Sequence, residues 1–79
     1  MYYTVIDVKP QENYLLHLVF QNGVKKMFDM KPYLSIGVFQ ELKDINLFNS
    51  VRVSFDSIEW ANEVDIDPEI LFKDGLLLE

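Results

Sequence analysis

Cysteine is absent from all 79 residues, which excludes disulfides, thiolate nucleophiles and cysteine-ligated metal sites together. A reducing compartment fits that absence. Histidine occurs once, at position 17, so any imidazole chemistry has a single candidate. Basic residues are scarce: seven Lys and Arg stand against thirteen Asp and Glu, a formal net charge of −6. Lys25, Lys26 and Lys31 form the one loose group, while Lys9, Lys43, Arg52 and Lys73 are scattered among carboxylates. That balance repels a phosphate backbone, so direct nucleic-acid binding is not expected. Long apolar runs are missing too. No segment approaches a membrane span, and no basic stretch followed by an apolar core opens the chain. The expectation is a cytoplasmic protein without a membrane partner. The three glycines, Gly23, Gly37 and Gly75, form no phosphate-binding loop, and Ser35, Ser50, Ser54 and Ser57 lack a nucleophile-elbow context.

What is present is the composition of an ordinary folded domain, with 49% hydrophobic, 14% aromatic and 25% charged residues. Seventy-nine residues make one domain, 1–79, close to the smallest size at which a core holds without staples. Ordinary per-residue values give a net stability of about 4–12 kcal/mol.

Residues 3–8 carry Val5 and Ile6 in a β-branched stretch closed by Pro10, which reads as a first strand. Gln11, Glu12 and Asn13 make a turn. Residues 14–20 are the strongest strand: Tyr14, Leu16, Leu18 and Phe20 share one face and Leu15, His17 and Val19 the other. With both faces largely apolar, this strand belongs at the centre of a sheet. Asn22-Gly23 signals a hairpin into a third strand, residues 24–29. A two-residue turn sets Gln21 against Val24, Leu18 against Met27 and His17 against Phe28; a longer turn shifts that register. After Lys31-Pro32, residues 38–44 read as a short helix with Val38, Phe39 and Leu42 inward, extended by a turn with Ile45, Leu47 and Phe48. Val51, Val53 and Phe55 alternate with Arg52 and Ser54, Asp56-Ser57 turns, and Ile58-Glu59-Trp60 returns as the second hairpin. The whole is an α+β fold: a small, mostly antiparallel sheet of two hairpins plus an N-terminal strand, with short helices near 38–48 and 68–73.

The most distinctive local pattern runs from Trp60 through an acidic turn to Asp67-Pro68-Glu69. Asp67 suits a helix N-cap, Pro68 sits at N1 where its missing N–H costs nothing, and Glu69 complements the helix dipole. Glu63 and Asp65 have no such assignment. Trp60 is either an interface anchor or a core residue whose N–H finds an acceptor. The carboxylates over 63–69 offer hard oxygen ligands, yet they lack the ligand series and central glycine of a calcium loop. His17, mid-strand among apolar residues, is expected to be a sheet residue rather than a general base. Asp29 and Asp56 each have a local role at a strand end and a turn. Leu76, Leu77 and Leu78 after Asp74-Gly75 either cap the core or enter a partner, and Tyr2 and Tyr3 add aromatic material at the other end.

Taken in order, these residues resemble a small bacterial domain family of unknown function, found alone or as the N-terminal domain ahead of a helix-turn-helix domain. The resemblance is carried by Val5, Val8 and Pro10, by Tyr14-Leu15-Leu16-His17-Leu18-Val19-Phe20 and Asn22-Gly23, and by Phe28-Asp29 with Pro32-Tyr33-Leu34. Gly37-Val38-Phe39 with Leu42, Phe48, Ile58-Glu59-Trp60 and Asp65-Ile66-Asp67-Pro68-Glu69 continue it. It implies a fold and no activity, cofactor or catalytic residue. It also implies a setting of short neighbouring genes similar to toxin and antitoxin pairs. The leading expectation is a non-catalytic protein-interaction module, a small accessory or regulatory subunit that includes an antitoxin-like role. Its protein partner would be encoded by an adjacent gene, or be a second copy of the chain. The candidate contact residues are Trp60, Glu63, Asp65, Leu76, Leu77 and Leu78. The alternative is a divalent-cation-dependent binding or enzymatic domain built on 63–69. No catalytic residue, metal ligand or cofactor is assigned.

Overall fold

A computed structural model describes residues 3–78. Two antiparallel sheets share one core. The larger has strand order β1-β2-β3-β7, from Val5–Gln11, Leu15–Phe20, Lys25–Asp29 and Leu76–Leu78. The smaller has order β4-β5-β6, from Arg52–Ser54, Ser57–Glu59 and Asp65–Ile66. Short 3₁₀ helices at Glu12–Tyr14, Lys31–Tyr33 and Gly37–Lys43, a four-residue helix α1 (Ile45–Phe48) and α2 (Pro68–Asp74) complete an α+β architecture. The antiparallel hairpins and the helix after Asp67 match the sequence reading, while β6 and β7 are strands beyond the two expected hairpins.

β2 is central, as its two apolar faces demand. Its alternation sends Leu16, Leu18 and Phe20 inward, where they meet Val5, Phe28, Met30, Leu42, Phe48, Ile58, Trp60 and Leu71. Tyr14 does not extend the strand. It ends the 3₁₀ turn with φ 60° and donates its hydroxyl to the Lys43 carbonyl. Pro10 lies within β1 rather than beyond it, opposite Leu16. An edge strand tolerates a residue with no N–H to give, and β1 is an edge.

The β2–β3 loop corrects the expected register. His17 pairs with Met27, Leu18 with Lys26 and Leu16 with Phe28, one residue away from a two-residue turn. A type I′ turn needs positive φ at both central residues. Only Gly23 adopts it, at 89°, while the Gly23 N–H returns to the Phe20 carbonyl and Asn22 Oδ1 accepts from the Val24 N–H. The loop therefore holds Gln21, Asn22 and Gly23. A one-residue slip moves every side chain of a strand to the opposite face, so this loop decides that Phe28 enters the core and Met27 does not.

Two further expectations change. Val38 is exposed while Phe39 packs on the core and Leu42 is buried, because Gly37–Lys43 is a 3₁₀ helix in which i and i+3 superpose. Phe55 does not share an inward face with Val51 and Val53. Ser54 pairs with Ser57, so Phe55-Asp56, rather than Asp56-Ser57, is the two-residue turn, with φ 46° and 70°. Val53 is exposed as well, and Phe55 is 99% exposed.

α2 begins as its sequence directs: Asp67 Oδ1 accepts from the Glu69 N–H at 2.8 Å, with Pro68 in the first turn. It ends at Gly75, where an added Cβ would lie 2.7 Å from the Leu71 carbonyl oxygen, so this close approach requires glycine. Asp74 at the end of α2 accepts from the Tyr33 hydroxyl at 3.1 Å.

Partial burial, then the bond and charge of Asp74, raise the pKa of the Tyr33 phenol above its usual value; the Glu69 hydrogen bond does the same for Lys73. A raised folded-state pKa contributes stability that is complete below the unfolded value, about 10 for both groups, and lost as pH rises through the folded value. The urea midpoint should hold level from pH 8 to 9.5 and fall between pH 10 and 11.5, with a smaller fall in Tyr33→Phe. A wild-type midpoint that stays level to pH 11.5 would refute this.

Candidate functional site

The acidic segment folds around the second sheet. Trp60 follows β5 and is fully buried, with Nε1–H donating to the Phe48 carbonyl at 3.0 Å and its ring tilted against Phe48. It is a core residue here, and its polar atom is satisfied inside. The chain then turns so that the Glu63 N–H donates to the Trp60 carbonyl and the Trp60 N–H to that of Val64. Glu63 occupies the left-handed position of this turn, φ 68°, with its side chain exposed. Asp65 opens β6 opposite Glu59. The buried Ser57 hydroxyl donates to the Ile66 carbonyl and fixes β6 against β5.

This brings Asp65 to a groove of about 340 Å³, lined also by Ser54, Phe55, Ser57, Glu59, Ile66, Asp67 and Pro68. Its carboxylates are largely engaged. Glu59 pairs with Arg52 at 3.0 Å and Asp67 caps α2. Outside the groove, Glu69 pairs with Lys73. Among the described residues, no three His, Asp or Glu side chains gather where they could hold a metal ion. Asp65 is the groove carboxylate with neither a capping nor an ion-pair role. Glu63 lies on the neighbouring turn and does not line the groove.

The C-terminal leucines form a different surface. β7 adds to the free edge of β3, pairing Leu76 with Met27, Leu77 with Lys26 and Leu78 with Lys25. Leu76 and Leu77 stay 74% and 66% exposed. Tyr3, by contrast, is anchored: its ring stacks on Phe72 at 4.4 Å. Tyr2 lies outside the described residues.

The pairings and the alternation of the strands define the outer face of the larger sheet, opposite the core. Across it run three rows: Asp7, Val19, Lys25 and Leu78; then Lys9, His17, Met27 and Leu76; then Gln11, Leu15 and Asp29. Its apolar members, Leu15, Val19, Met27, Leu76 and Leu78, neither belong to the core nor pack against it among the described residues. His17 stands in the middle row. Its Nδ1 is buried with no hydrogen-bond partner among the described residues, and none of them supplies the orienting acceptor that general-base catalysis uses. The sequence signalled this face only through the apolar Leu15 and Val19 of β2. Met27 joined it through the loop register, and Leu76 and Leu78 through a pairing spanning about fifty residues of chain.

No helix among the described residues is long and apolar enough to cross a membrane. Comparison with curated proteins and with solved structures gives no match. A family model described as a protein of unknown function, DUF2442, matches residues 5–75. That span runs from the first residue of β1 to the end of α2, taking in the central hairpin, the Trp60 core and the Asp-Pro-Glu helix start, and on it the chain belongs to the DUF2442 family.

Proposed function

We propose that this domain is a non-catalytic protein-interaction module, a small accessory or regulatory subunit of a bacterial cytoplasm that docks a protein through the outer face of its larger sheet. The observation that carries the reading is the apolar set on one side of a four-stranded sheet, the exposed Leu76 with the half-buried Leu15, Val19, Met27 and Leu78, none of which packs on the core among the described residues. Contiguous apolar surface on a small soluble domain marks an interaction site. Its continuation onto the exposed edge strand β7 adds unpaired backbone groups, which also invite a partner. An antitoxin-like role is one form that such a subunit takes.

The test is retention of protein by the tagged domain at physiological salt, with Val19→Glu and Leu76→Glu as paired variants. Both side chains leave the core untouched, so melting temperatures should stay within a few degrees of wild type. Wild type should retain a protein, whether another chain or a copy of itself, and each variant should retain at least tenfold less. Equal retention by all three, or none by wild type, would sink the reading.

A further inference from the structure

We propose that the outer face binds a second copy of this chain, about a two-fold axis crossing the strands through His17, Met27 and Leu76, so that Lys25 of each copy meets Asp29 of the other. The inference rests on the interaction-module reading and names the occupant.

The chain carries −6, so two copies repel each other across most of their surfaces. The four ionisable Asp and Lys positions on the outer face are Asp7, Lys9, Lys25 and Asp29, two of each sign, and they sum to zero. On this side the sheet itself presents no net charge to a like-charged molecule; Lys31 adds one positive charge beside Asp29, and exposed charges farther than about 8 Å are largely screened at physiological ionic strength. A strongly basic or acidic foreign partner gains no steering from a neutral face.

Placement then supplies self-complementarity. Lys25 and Asp29 lie on the same strand, one row either side of Met27. A two-fold axis along the middle row exchanges the outer rows, as a symmetric isologous interface requires. Lys25 then faces Asp29 twice, Val19 faces Leu15 twice and Asp7 faces Gln11 twice. The middle row meets itself: Met27, Leu76 and His17 each face their own copy, and so does Lys9 on the edge strand, a like-charge contact that weakens the pairing. Strands of the two sheets run nearly aligned, the ordinary arrangement for face-to-face packing. The Lys25 side chain forms no hydrogen bond or ion pair among the described residues, while Asp29 Oδ1 accepts from the Lys31 N–H at 2.9 Å and pairs with Lys31 Nζ at 3.1 Å. The Lys25 ammonium and the second oxygen of Asp29 remain to engage across the interface.

Size sets the strength. Four strands at about 4.8 Å spacing and three same-face rows about 7 Å apart, with side-chain margins, give roughly 400 Å² per copy. About 800 Å² over both copies falls below the ~1,200 Å² of stable complexes. The pair is therefore a weak, reversible dimer, not an obligate one.

Sedimentation equilibrium of the full chain from 5 μM to 1 mM tests it. Wild type should rise from the 9.3 kDa monomer towards twice that mass and stop there. Lys25→Asp and Asp29→Lys should each weaken association at least tenfold. An equimolar mixture of the two variants should recover it, because both pairs between positions 25 and 29 in the mixed dimer are again of opposite sign. The two positions sit four residues apart along one strand, too far to contact each other within a copy, so only an intermolecular pairing produces that rescue. Asp29→Lys also removes the bond from the Lys31 N–H to Asp29 Oδ1, so Met27→Lys on the axis serves as a second disrupting variant if its melting curve shows a loss of fold. A wild type that remains 9.3 kDa at 1 mM, single variants that dimerise normally, or a mixture without rescue each overturn the inference. So does an open-ended series of masses, the mark of β7 pairing edge to edge. A monomer that still retains a different protein, sensitive to Leu76→Glu, ends this inference while leaving the module reading standing.

Discussion

Trp60→Ala should abolish most of the domain's stability, lowering its melting temperature by roughly 15–30 °C at the 4–8 °C per kcal/mol of a domain this size. The side chain is completely enclosed within the shared core, with the Phe48 ring beside it. Truncating a buried Trp or Phe to alanine costs about 3–5 kcal/mol, the lost transfer energy plus the cavity. A total of about 4–12 kcal/mol leaves little margin. Trp60→Phe separates packing from polarity. It keeps most of the ring volume but removes the shorter of two hydrogen bonds to the Phe48 carbonyl, which retains the 3.4 Å bond from the Val51 N–H, a loss of about 0.5–1.5 kcal/mol. Urea denaturation of the three proteins measures both terms. A Trp60→Ala midpoint within about 0.5 M of wild type would mean that the indole is not enclosed, since urea slopes for small domains are about 1–3 kcal/mol per M.

The same residue shows how far the sequence speaks. A lone tryptophan beside an acidic turn is equally suited to an interface anchor and to a core, because an apolar body with one donor satisfies either setting. What decides is the Phe48 carbonyl, twelve residues away at the end of α1, and nothing local in the chain announces that meeting. Local chemistry was legible where it is self-contained. The period-two pattern of β2, the hairpin β4–β5 and the Asp67-Pro68-Glu69 cap each depend on a few adjacent residues, and each stands in the fold. Pairings that rest on distant partners were not. β6 has two residues and β7 three, too short to carry periodicity, and each exists because another strand offers an edge. The β2–β3 register turned on whether Asn22 or only Gly23 takes positive φ, a choice between two turn types that the same Asn-Gly pair permits.

That register has functional weight. Had the loop been one residue shorter, Met27 would point into the core and Phe28 outward, and the outer face would present an aromatic where it now has the flexible Met27 between His17 and Leu76. The candidate surface is therefore a product of one glycine conformation and of the late-pairing β7. Of the residues singled out from sequence alone, Leu76 and Leu78 lie on it, Leu77 lies on the opposite face of β7, and Trp60, Glu63 and Asp65 belong to the other sheet and its turn.

Replacing Phe55-Asp56 by Asn-Gly should stabilise the domain by about 1 kcal/mol, since left-handed backbone costs a non-glycine L-residue roughly 1–2 kcal/mol and Asn and Gly adopt it readily. The turn closes the β4–β5 hairpin with φ 46° at Phe55 and 70° at Asp56. Asp visits this region with less cost than a bulky aromatic, so Phe55 bears most of the strain. No packing term opposes the gain, because the ring is 99% exposed and its removal uncovers nothing. The backbone contact that matters is kept: the Asp56 carbonyl accepts from the Val5 N–H at 2.9 Å, tying the hairpin tip to β1, and any residue supplies a carbonyl. The added glycine makes the unfolded chain more flexible, which returns about 0.5–1 kcal/mol and keeps the net effect near the lower bound. Thermal melts should show a rise of about 4–8 °C. A fall in melting temperature would show that Phe55 holds the hairpin through contacts of its own. With a rise, the wild-type chain carries an exposed aromatic in a strained turn at a cost in stability, at the rim of the groove that Asp65 lines.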